Sequence, residues 1–341
     1  MSRRRVSIKD VAREAGVSVT TVSHALNDKG RLHPDTRAHV KDVADRLGYR
    51  PNPAARSLVS GRAQLIAAMA SLPDDPRVQF SAFGYYTELV GAASGTAVDR
   101  DYALVVAPPS RSGFIWDRVA LDGVIVIDPL VGEPALPSLR SRQIPFVTVG
   151  FDPEGPATDA VVAADEETGT CAMLDHLAAA GGGRIGLLSA PPVNAFVRDT
   201  LACFERWCDR EGREPIASVL DLHTLIDDTE GTIRGGLEEL LSHGADAIYA
   251  PVELIGVPAL RILESLGARV PRDVLLATTH DAGAAAATEP PLTALMFDYA
   301  EMGRRAASLL LDVIDGQRRG PVEERVPTWV SPRASTNRGG G

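Results

Sequence analysis

Six side chains in one short segment, Ser18, Val19, Thr20, Thr21, Ser23 and His24, have the types and spacing to read a DNA groove. On a helix beginning at Val19 the N-terminal positions face base edges when that helix lies in a major groove. Val19 would meet a thymine methyl, Thr20 either a donor or an acceptor, and His24 a guanine acceptor. Ser18, Thr21 and Ser23 suit phosphate oxygens. Catalytic signatures are missing by contrast. There is no Gly-x-Gly-x-x-Gly after a first strand, no Gly-x-Ser-x-Gly elbow, no Walker loop and no His-Glu-x-x-His. Gly181-Gly182-Gly183 follows a helical stretch and reads as a helix stop. The seven histidines have no ligand spacing, and Cys171, Cys203 and Cys208 are an odd set that reads as reduced thiols of a cytosolic protein. Neither an enzyme, a metal nor a cofactor is expected.

The elements that must position the first group are legible nearby. Ser7 can cap a helix with Asp10 in its first turn, and Ile8, Val11, Ala12 and Ala15 recur at helical spacing. Gly16 stops that helix, Ser18 caps a second from Val19 to Leu26, and Pro34 opens a third that runs to about Leu47. Two short helices joined by a Gly-containing turn form a helix-turn-helix arrangement.

Charge agrees with that placement. The 341-residue chain carries a net charge of −10, yet residues 1–62 hold 13 Lys+Arg against 6 Asp+Glu, leaving 22 basic against 39 acidic residues beyond. A basic head on an acidic body is expected where only one end meets phosphate. With 45% apolar and 23% charged residues the chain can bury two or three domains. No signal-type h-region and no run of 18 apolar residues is present, so no membrane partner is expected and the location is cytoplasmic, at the nucleoid when bound.

Beyond residue 62 the pattern alternates strand and helix. Strands are predicted at 65–70, 103–106, 123–127, 145–149, 185–188, 217–221, 247–250 and 274–277. Helices are predicted at 85–99, 166–180, 197–212, 229–243 and 256–267. Near-continuous apolar strands between helices mean parallel sheets covered on both faces, and two such sets suggest a hinged two-lobed clamp.

Several strings resemble the lactose-repressor (LacI/GalR) family of regulators. In the head they are Ile8-Lys9-Asp10-Val11-Ala12, Ala15-Gly16-Val17-Ser18, Thr21-Val22-Ser23, Leu47-Gly48-Tyr49-Arg50-Pro51-Asn52 and Ala55-Arg56-Ser57-Leu58. In the body they are 267–274, Pro290-Pro291-Leu292-Thr293, Glu301-Met302-Gly303-Arg304 and 332–336. The resemblance implies a helix-turn-helix head at 1–50 and a hinge helix or linker at 51–62. It also implies a periplasmic-binding-protein-like α/β core of two lobes with parallel sheets, at 63–161 with 294–322 and at 162–293 with 323–341. Asn27, Arg31 and Arg56 join the DNA-binding candidates. Leu58 would wedge into the minor groove, on a hinge too short to be a stable helix before DNA holds it.

The same resemblance places Tyr85, Tyr86, Arg198, Glu253, Asp281 and Tyr299 at an effector site between the lobes. Partners then follow: double-stranded DNA with a pseudo-palindromic operator, a small-molecule effector of the sugar or related-metabolite class, and a second copy of the chain. With no heptad segment after residue 338, a dimer is favoured over a coiled-coil tetramer. Departures from the family pattern at Val252-Glu253, at Thr279-His280-Asp281-Ala282 and in the acidic loop 72–76 weaken the assumption of a common sugar. A solute-binding protein without regulatory role fits the body alone; the basic head speaks against it. An architectural DNA protein would not require the two-lobed cleft.

Overall fold

A computed structural model describes residues 6–26, 28, 30–50, 61–72, 84–108, 113–155, 159–279 and 283–338. The chain divides into two units, residues 1–63 and 64–341.

The first unit holds α1 (Ile8–Ala15), α2 (Val19–Leu26) and α3 (Pro34–Arg46). Ser7 and Asp10 form a reciprocal capping box at the start of α1. At its end Gly16 takes φ +67°, a left-handed conformation that costs a side-chain-bearing residue about 1–2 kcal/mol, so the turn into α2 is written by that residue. Val11, Val22, Val40 and Val43 are fully buried where the three helices meet. Each contributes about 1.5–3 kcal/mol by leaving water.

The second unit contains two six-stranded sheets. The first joins β1 (Leu65–Ala70), β2 (Ala103–Ala107), β3 (Gly123–Ile127), β4 (Phe146–Val149), β5 (Ala160–Ala164) and β11 (Val322–Val326) in the order β11-β5-β4-β3-β1-β2. All its pairs are parallel. The second joins β6 (Ile185–Ser189), β7 (Ile216–Val219), β8 (Ala247–Ala250), β9 (Leu275–Thr279), β10 (Thr293–Phe297) and β12 (Thr328–Ser331) in the order β12-β10-β9-β8-β6-β7. Only β10 and β12 pair antiparallel.

Around the sheets lie α4 (Gly84–Asp99), α5 (Ala135–Ser141), α6 (Glu166–Ala179), α7 (Ala195–Glu211), α8 (Leu222–Asp227), α9 (Thr229–Ser242), α10 (Glu253–Ser265) and α11 (Tyr299–Ile314). Central strands β1, β3 and β6 are buried along almost their whole length, as strands covered on both faces must be.

Sheet membership shifts each expected lobe boundary. The expected cut at 161/162 falls inside β5, which belongs wholly to the first sheet, because an unbroken Ala-Val run pairs along β4. The return to the first lobe comes after Phe297 rather than at 294, since β10 still pairs with β9. The cut at 322/323 falls inside β11, which pairs in full with β5 before the chain crosses to β12.

Candidate functional site

In the head, the hydroxyl of Ser18 accepts from Thr21 N at 3.1 Å and caps α2. It also lies 2.9 Å from Thr21 Oγ1, so only one of the two hydroxyl hydrogens is left to reach a phosphate. Val22 and Ala25 turn inward, while Thr20 and His24 are exposed and Val19 remains 40% exposed. Thr21 and Ser23 are half-buried, and Arg31 is exposed.

The imidazole of His24 packs on Gly30, where an added Cβ would meet Nδ1 at 2.7 Å. The loop after α2 is pinned from α3. Arg37 donates to the carbonyl of His24 at 3.3 Å and to Asp28 Oδ1 at 3.0 Å, and Lys41 donates to the same carboxylate at 2.9 Å. The Lys41 ammonium, with Arg37, holds the Asp28 carboxyl below the usual carboxylate range. Asp28, Arg37 and Lys41 are not singled out by the sequence; their pairing joins the loop after α2 to α3 and leaves no local pattern. Asn27, Arg56 and Leu58 lie outside the described residues.

In the second unit the organising group is Asp128, the first residue after β3. It sits at φ +50° with its N–H bonded to Val149 O at 2.8 Å. Such backbone positions in a non-glycine residue cluster at functional sites. The Tyr85 hydroxyl donates to Asp128 Oδ2 at 2.5 Å and the Tyr86 hydroxyl at 3.3 Å. Burial still holds the Asp128 carboxyl above its ordinary range, and burial, then the Asp128 charge, pushes both tyrosines well above theirs.

An aromatic belt continues from there. Tyr85 packs on Tyr299 with ring centroids 4.7 Å apart, Tyr299 on Phe297 at 5.5 Å, and Phe297 meets Phe196 edge-on at 6.0 Å. The belt thus runs from α4 of the first lobe to the opening turn of α7 in the second. Glu166, first residue of α6, faces the same region, half-buried and with no hydrogen-bond partner among the described residues. Its pKa is pushed up to about 8 by burial, then by Asp128 and Asp199, against the pull of Arg325 and Arg198.

The lobes meet beside this belt. The loop after β3 pairs with the loop after β6, Val131 N donating to Val193 O at 2.8 Å. Arg198 of α7 donates to Pro153 O at 3.1 Å while pairing with Asp199. A cavity of about 430 Å³ opens on the flank, lined by Phe151, Asp152, Asp159, Arg198 and Glu323 among others.

Of the effector candidates, Tyr85 and Tyr299 are therefore brought together, with Tyr86 beneath them and only 2% exposed. Arg198 belongs to the inter-lobe contact and the flanking cavity. Glu253 opens α10, but its side chain and the whole of Asp281 lie outside the described residues. Asp128 and Glu166 were missed. Asp128 was within reach, as it follows a recognised strand at the carboxyl edge where ligands sit; Glu166 follows β5, which was not recognised. Among the described residues no cluster of metal-ligating side chains occurs, and no helix is long and apolar enough to cross a membrane.

Residues 7–52 match the model of bacterial regulatory proteins of the lacI family, and residues 174–336 match a periplasmic binding protein-like domain. The HTH-type transcriptional regulator CelR of Thermobifida fusca is 30% identical over 98% of this chain and 99% of its own length. The regulator DegA of Bacillus subtilis is 26% identical over 98% of each. Among solved structures, a CelR–cellobiose complex has a TM-score of 0.72 at 27% identity, covering 97% of this chain and all of that one. A lac repressor dimer bound to operator and an anti-inducer has a TM-score of 0.80 at 24% identity, covering 98% and 99%, a likeness of fold.

Proposed function

This chain belongs to the lacI family of bacterial regulatory proteins and is a helix-turn-helix transcriptional regulator, and from that premise we propose how it works: as a homodimeric, ligand-controlled repressor. Two heads occupy the half-sites of a pseudo-palindromic operator, as two-fold symmetry requires. Val19, Thr20 and His24 read base edges, and Ser18, Thr21, Ser23, Asn27, Arg31 and Arg56 hold the backbone. The linker at 51–62 orders on DNA with Leu58 as the wedge. The observation that carries this reading is the outward face of α2: two polar side chains and a valine exposed on a helix capped, pinned and aimed by everything around it.

The effector lies between the lobes, against Tyr85, Tyr299 and the Asp128 carboxylate, with Tyr86 beneath and Arg198 across the cleft; Glu253 and Asp281 are its further contacts by the family resemblance alone. A saccharide suits an aromatic belt flanked by carboxylates, whose acceptors match hydroxyl donors. The related regulator seen with cellobiose supports that class. Binding changes how the lobes meet and, through them, whether paired hinges order, a coupling of about 1–3 kcal/mol. The protein acts in the cytoplasm and catalyses nothing. An operator duplex bound by the full chain should change affinity about 5–150-fold when cellobiose or another short saccharide is added. Unchanged affinity across a panel of mono- and disaccharides would remove the saccharide assignment.

A further inference from the structure

Two of the three cysteines are in contact. Cys171 on α6 and Cys203 on α7 stand with their sulfurs 3.1 Å apart, about 1 Å more than the length of a disulfide bond. Their surroundings differ. Cys203 is 1% exposed, whereas Cys171 is half-exposed and lines an open surface pocket with Glu167, Thr168, Asp175 and Arg325. The guanidinium groups of Arg206 and Arg210 stand beside that pocket, the first bonded to Glu167 at 2.8 Å and the second to Asp175 at 3.3 Å. From this arrangement we propose that Cys171 and Cys203 form a reversible oxidation site for small peroxides, Cys171 being the sulfur oxidised first and Cys203 the one that resolves it.

The chemistry balances in two steps. The Cys171 sulfur attacks one peroxide oxygen; an S–O bond forms, the O–O bond breaks, and hydroxide leaves with the thiol proton as water. Cys171 is then a sulfenic acid. Cys203 attacks that sulfur; the S–S bond forms, the S–O bond breaks, and the hydroxyl group leaves with the Cys203 proton as a second water. Two electrons pass from the thiols to the peroxide, and a dithiol reductant returns them. Burial pushes the Cys203 thiol up to about 12, so it stays protonated and the more exposed Cys171 is the sulfur that meets peroxide first. The bond would tie α6 to α7, the two helices whose first turns bring Glu166 and Phe196 to the cleft.

The full-length protein, reduced and freed of reductant, should lose two of its three titratable thiols on treatment with hydrogen peroxide. Peptide mapping without reductant should join Cys171 to Cys203, and dithiothreitol should restore all three thiols. Cys208→Ser should still lose two. Cys203→Ser should accumulate a sulfenic acid at Cys171 that dimedone labels. Three thiols surviving peroxide that oxidises free glutathione would overturn the proposal, as would a bridge mapped to Cys208 or between two chains.

Discussion

Thr20 and His24 are exposed on α2 and outside the buried core of the head, so changing them should leave the fold intact and alter what is read. Thr20→Ala and His24→Ala should each relax preference at one base-pair position by about 1–3 kcal/mol. Motifs selected from random duplexes by parent and variant are the comparison; an unchanged motif for His24→Ala would refute its readout role. Glu166 makes a different kind of prediction. Its folded pKa of about 8 lies above the ordinary value of 4.5, so between those values the folded chain binds a proton that the unfolded chain has lost. Stability from this group is therefore fully present below about pH 4.5 and declines as pH rises toward about 8. Melting temperature should fall across that window more steeply for the parent than for Glu166→Gln, and parallel curves would contradict the assignment. Glu166 itself is invisible in the sequence because nothing local says that the second acid after Ala-Val-Val-Ala-Ala stands without a hydrogen-bond partner beside another lobe's aspartate.

Helices read well where their ends are written by side chains. The capping box at Ser7, the glycine at 16, Ser18 and Pro34 each fix a terminus by local chemistry, and α1, α2 and α3 fall within a residue or so of expectation. Strands β5, β10, β11 and β12 have no such marks. They are four or five residues long, and β11 is a run of Glu, Glu and Arg between two valines at a sheet edge, so only the pairing partner, over 150 residues away for β5 and β11, makes them strands. Helix packing is legible at one glycine. At Gly303 on α11 an added Cβ would lie 2.1 Å from the Leu89 carbonyl oxygen of α4. Gly303→Ala must push the two helices apart, at a cost of at least about 1–3 kcal/mol, and with them Tyr85 and Tyr299, which stand on the first turns of each. A lowered melting temperature together with a weakened saccharide response is expected; a parent-like melt would show that α4 and α11 have room to spare. The linker belongs to this scale too. Leu58→Ala should weaken operator binding about tenfold or more, ~1.4 kcal/mol, while leaving non-specific DNA binding unchanged. Equal losses on both would remove the wedge.

At the scale of the whole molecule, the charge division and the two-lobed body make one argument. Net positive charge is confined to residues 1–62, which carry the helix proposed to read the groove, and the proposed ligand cleft, with its carboxylates and aromatic belt, lies in the net acidic part. The head and the two-lobed class were plain in the sequence because periodicity and composition report them. The inter-lobe contact from Val131 to Val193 was not, because backbone pairing between two loops depends on lobe orientation rather than residue type. The most direct test of the central claim is selection of random duplex DNA by the purified full-length protein at about 0.15 M salt, followed by sequencing. A pseudo-palindrome with a deformable central step is predicted. Recovery of unrelated sequences, bound weakly and released by modest salt, would contradict the account.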